Sequence, residues 1–98
     1  VERRQFLNLN VDREAWADYS GEQKLAIALL RRIVRDLEAP TEGLVAEVAE
    51  WLSFTGPLGP AFCDQLLELE DGVVAAHMGR KLEEAKLALV VEEAWKDL

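Results

Sequence analysis

The chain holds one cysteine, Cys63, and one histidine, His77. These are the residue types of a thiolate–imidazole dyad, in which the imidazole takes the thiol proton and the sulfur attacks, and the two need only be neighbours in space. Asp64 or Glu70 would have to orient the imidazole. Nothing in the spacing requires such an arrangement. Cys63 falls on the apolar side of a short helix with no basic residue nearby in sequence, the setting of a small buried hydrophobe and not of an activated thiolate. His77 falls off the apolar stripe of its own helix, on the surface or its rim. The carboxylate pairs Glu83–Glu84 and Glu92–Glu93 lack the i, i+3 histidines used by di-iron bundles, so they read as solvated faces, with no metal site and no cofactor expected. No nucleotide motif, metal-ligand cluster or serine elbow is present.

Two other constellations bear on binding. Lys24, Arg31 and Arg35 stand in line on one helix face, with Arg32 nearby: either a docking stripe for an acidic partner or phosphate, or a solvated face paired with neighbouring Glu and Asp. Gly56 and Gly59 in the run Thr55-Gly56-Pro57-Leu58-Gly59-Pro60 invite comparison with an anion cradle. The run lacks the Lys and Ser/Thr of a phosphate loop, so it reads as a simple helix connection.

The elements that position these residues are helical. Phe6, Leu7, Leu9 and Val11 open the chain, the last three alternating with Asn8 and Asn10, a period of two that suits an extended arm. The arm either lies on the bundle or pairs with a copy of itself. Asp12 suits the N-cap of a short helix, with Trp16 and Tyr19 as its anchors. Ser20-Gly21-Glu22-Gln23 is a capping-box pattern opening a strong helix in which Leu25, Ala26, Ile27, Leu29, Leu30, Ile33, Val34 and Leu37 cover about half the circumference, as a central core helix needs. Pro40 and Glu42 suit the first turn of the next helix, whose stripe is Leu44, Val45, Val48, Trp51 and Leu52. Two prolines and two glycines then break the chain, and Pro60 starts a helix with Phe62, Cys63, Leu66 and Leu69 along one side. These two neighbouring helices resemble the layout of a helix-turn-helix DNA reader, but their solvent faces offer Glu47, Glu50, Asp64 and Glu68 in place of Arg or Lys.

The last quarter carries the most information. Asp71 suits the N-cap of one long helix interrupted only by Gly79. At 100° per residue, Val74, Ala75, Met78, Leu82, Ala85 and Leu89 share one arc of about 100°. Leu87, Val90, Val91, Ala94, Trp95 and Leu98 share another, turned from the first by roughly 150–170°, and Glu92, Glu93 and Lys96 take the place of the first stripe. Drift between periods of 3.5 and 3.6 turns a stripe by only about 20° per heptad, so supercoiling does not explain the change. The helix bends or breaks near Gly79 or residues 85–88, or two elements of the chain cover its two faces, or its second half packs on a partner. The arm and first helix are the part of the chain fit to cover Val91 and Trp95; otherwise a second chain does.

Ninety-eight residues, half of them hydrophobic, suit one ordered domain. A net charge of −8 argues against direct nucleic-acid binding and against anionic membranes. The apolar runs are too short to span a bilayer, and the residues after Val1 lead into no hydrophobic signal region, so the expectation is a cytoplasmic protein. The fold expected is all-α: a bundle of four main helices at about 21–38, 41–54, 60–70 and 72–97, a short one at about 12–19, and an arm over 1–11. The leading functional expectation is a non-enzymatic interaction or scaffold module, self-associating as a homodimer, or binding another protein, through Leu87, Val90, Val91, Ala94 and Trp95. Second comes an acidic regulatory or inhibitory protein that covers a basic surface of an enzyme or nucleic-acid machine; third, a small enzyme using His77 with Cys63 or an acidic neighbour.

Overall fold

In a computed structural model, which describes residues 2–97, the chain forms five helices: α1 (Arg13–Asp18), α2 (Gly21–Glu38), α3 (Glu42–Leu52), α4 (Pro60–Leu66) and α5 (Val73–Lys96). Their beginnings follow local chemistry. Asp12 accepts from the Ala15 amide and Ser20 from that of Gln23, whose side chain returns the bond to the Ser20 amide as a full capping box. Thr41 caps α3 through the Leu44 amide, which leaves Pro40 one residue before the cap and not in the first turn.

Three boundaries fall short of the expected ones. α3 stops at Leu52 and leaves Phe54 half exposed, because the loop after it is held by its own bonds: the Trp51 indole donates to the Leu58 carbonyl at 2.9 Å and the Gly59 amide to that of Gly56 at 3.0 Å. A side chain at Gly59 would run into the Phe54 carbonyl oxygen, so the loop is a close-packed connection. α4 stops at Leu66, since Glu68 turns into the left-handed region at φ 56°. α5 is capped not by Asp71 but by a residue eight positions back. Gly72 sits at φ 89° with no side-chain cap of its own, and the carboxylate of Asp64 accepts from the amides of Gly72 (2.9 Å) and Val74 (2.8 Å). Asp64 is therefore buried, 1% exposed, and not on a solvent face.

α2 and α5 lie against each other, with α3 and α4 packed on both. Ala26, Ile27, Leu30, Ile33 and Leu37 of α2 meet Val74, Met78, Leu82 and Ala85 of α5, and Val48, Cys63, Leu67 and Leu69 close the core. Leu25 is the member of the wide α2 stripe that stays out, 55% exposed. The arm lies on the bundle, the first of its two expected placements, with Leu7, Leu9 and Val11 half-buried and Asn8 and Asn10 exposed as the period of two suggests. Its start is tied to the α4–α5 connection by a parallel bridge, in which the Arg4 amide donates to the Glu68 carbonyl and the Glu70 amide to that of Arg4. Further along, Arg31 donates twice to the Leu9 carbonyl, at 3.0 and 2.8 Å. Among the described residues no helix is long and apolar enough to cross a membrane.

Candidate functional site

α5 runs unbroken through Gly79, so a break is not what moves its apolar stripe. Its first stripe is consumed by the core as far as Ala85, and Leu89 is half-buried at a groove shared with Glu42 of α3. Glu92, Glu93 and Lys96 line the same groove, on the side their helical phase assigns them. Among the described residues the second stripe stays exposed. Leu87 is 64% exposed, Val90 62%, Val91 61% and Trp95 75%, and Ala94 between them is exposed as well. Leu98, which would continue the stripe, lies outside the described residues. From Val90 to Asp97 no residue is buried.

The arm does not cover this patch. It reaches the outer side of α5 one stretch earlier, where Gln5, Phe6 and Leu7 form a groove of about 490 Å³ with Asp71, Gly72, Val73, Ala76, His77 and Arg80. Trp16 is held elsewhere, its ring flanked by Lys24 and Arg31, each 5.9 Å from its centroid. The expectation that residues 6–19 could shield Val91 and Trp95 is thus corrected. The arm's strongest attachments, the Arg31 guanidinium and the backbone at 68–70, lie by α2 and the start of α5, and they hold it there.

The same contacts say what the basic stripe does within the chain. Lys24 and Arg31 enclose Trp16, and Arg31 holds the arm; Arg35 borders a groove with Leu9, Asn10, Val34 and Glu38. The ion pairs among the described residues, Glu83–Lys86 and Glu92–Lys96, are both on α5.

Cys63 and His77 stand apart in kind. Cys63 is fully buried with its sulfur 3.9 Å from the Leu58 carbonyl, and burial, reinforced by the negative Asp64 beside it, pushes its thiol up to about 11. His77 borders the arm groove, which Cys63 does not line. Partial burial lowers its affinity for a proton, Lys81 and Arg80 add to that, and Glu84 opposes it. Both carboxylate oxygens of Asp64, one of the two groups expected to orient His77, are committed to the start of α5, and Glu70, the other, accepts from the Gln5 side chain at 3.3 Å. Among the described residues no three His, Cys, Asp or Glu side chains gather as metal ligands.

Fold and surface together define an all-α bundle whose longest helix ends in a bare apolar face. No family model matches this chain, and no match was found among curated proteins or solved structures.

Proposed function

We propose that this chain is a protein–protein interaction module that pairs with a second copy of itself through the C-terminal half of α5. The observation that carries the reading is the exposure of Leu87, Val90, Val91 and Trp95 on one helical face. Burying each large side chain is worth about 1.5–3 kcal/mol, and a contiguous patch of this kind is uncommon on a monomer's surface. Area supports the same reading. A folded monomer of 11.0 kDa ordinarily exposes about 5,600 Å². This chain exposes 7015 Å². The excess exceeds the roughly 800 Å² that each partner gives to a standard interface. A second copy is the partner the reading commits to, because apolar patches of this kind commonly pair with themselves across a twofold axis and a tryptophan is a usual anchor of such contacts.

Sedimentation or light scattering over a concentration range tests it. A dimer is expected at tens of micromolar, with the double substitution Val91→Glu and Trp95→Glu remaining monomeric. Salt should leave the pairing intact or strengthen it, since screening relieves the repulsion between two chains of charge −8. Capture of a basic surface, the role of an acidic regulator, would instead weaken steeply with salt. A monomer at high micromolar concentration, unchanged by the double substitution, refutes the proposal.

A further inference from the structure

Resting on that reading, we infer that the two copies pair with their α5 helices antiparallel, because the outer face of α5 is apolar and bare at its C-terminal end and is bordered by the arm at its N-terminal end. At 100° per residue, Val73, Ala76, His77 and Arg80 fall on the same face as Leu87, Val91 and Ala94. The arm stands over that earlier stretch, with Gln5, Phe6 and Leu7 forming one groove with those four residues and Phe6 projecting, 81% exposed.

Helices packed side by side approach to about 8–10 Å between axes. A parallel pair in register would bring both arms into that space. It would also set exposed Arg80 against its own copy and exposed Glu84 against its own copy at the seam, like charge on like. An antiparallel pair centred on Val91 meets neither obstacle. Leu87 then lies level with the partner subunit's Trp95, on either side of the Val91 pair at the twofold axis. The two bundles are carried to opposite ends, which separates the bodies that hold most of each chain's −8 charge. The helix macrodipoles run opposed, the favourable sense. The arm thereby acquires a second role, as a stop that limits how far the partner helix can slide along α5.

Spin labels placed singly on the full chain, at Asp71→Cys and at Glu83→Cys, read the orientation as distances across the dimer. Both positions are exposed, and Cys63 is too buried to take the label. In an antiparallel pair the distance shrinks by about 30 Å on moving the label from 71 to 83, since the ten residue steps of α5 from Val73 to Glu83 count twice at 1.5 Å each. A dimer in which the distance changes by less than about 20 Å overturns the antiparallel arrangement and leaves self-association standing. Absence of a dimer in the unlabelled chain overturns the self-association reading, and this inference with it.

Discussion

At the scale of single residues, Asp64 does the work that α5's own beginning lacks. A helix starts with amides that have no partner in the helix, and Gly72 offers no side chain to receive them. Asp64, fully enclosed, accepts two of these amides at once. Asp64→Ala should therefore cost about 2–4 kcal/mol in urea unfolding, because it leaves buried donors empty, and Asp64→Asn about half of that, since one oxygen remains to accept. A loss below 0.5 kcal/mol on Asp64→Ala, to order of magnitude, would mean that water or another group serves the helix start. Cys63, next in the chain, makes a pH-dependent contribution whose sign follows from burial. Its folded thiol titrates at about 11 against an ordinary 9.0. Below pH 9 both states keep the proton and stability does not change; between 9 and 11 the unfolded thiol ionises while the folded one does not. Stability should then fall by about 1.4 kcal/mol per pH unit over that window, relative to Cys63→Ala. Parallel curves for the two proteins would show that the thiol is not desolvated in the fold.

At the scale of elements, what could be read from the sequence is what is decided within a few residues. Ser20 and Gln23 form their capping box, and the alternation of Leu7, Leu9 and Val11 lays the arm with one side inward, as periodicity alone requires. The start of α5 was not legible, because its cap comes from Asp64 through a turn that depends on Gly72 at φ 89°. An Asp at position 71 looks like a cap, and only the folded chain shows another carboxylate already there. Phe62 and Leu25 look like core by helical phase yet stand 37% and 55% exposed. Phase tells which side of a helix a residue is on and not whether a neighbour reaches it. For the candidate site the two faces of α5 were legible, since they follow from rotation per residue, and Leu87, Val90, Val91, Ala94 and Trp95 are exposed on the second of them. Where the arm goes was not, because it depends on Arg31 and the backbone at 68–70, far off in sequence. The two glycines of this region should respond with opposite signs. Gly72→Ala forces a left-handed alanine and should cost about 1–2 kcal/mol, although nothing lies within 4 Å of the added carbon. Gly79→Ala, inside α5 with equally open space, should stabilise by about 0.5–1 kcal/mol. Equal changes in the two melting curves would contradict the cap geometry.

At the scale of the whole molecule, the chain is longer than its mass calls for, 53 × 29 × 20 Å with a radius of gyration of 15.0 Å. A compact domain of this size has about 13 Å. The extra length is α5, whose 24 residues span about 36 Å and bury no side chain after Leu89. Eight residues with no buried side chain make a poor helix in water, since propagation alone hardly repays the loss of chain entropy. The last two turns of α5 should therefore be the least protected helical segment of the monomer, and pairing should be what orders them. Hydrogen exchange followed against concentration separates these states. In dilute solution the amides of 90–97 should exchange fast while those of 74–85 stay protected. As copies pair, protection should spread into 90–97 in the unaltered chain and not in the protein carrying Val91→Glu and Trp95→Glu. Residues 74–85 should behave alike in both proteins, because the core they belong to lies on the opposite face of the helix. Protection at 90–97 that equals that of 74–85 in the most dilute sample would mean that the helix end is stable unaided, and the bare face would lose its physical claim on a partner.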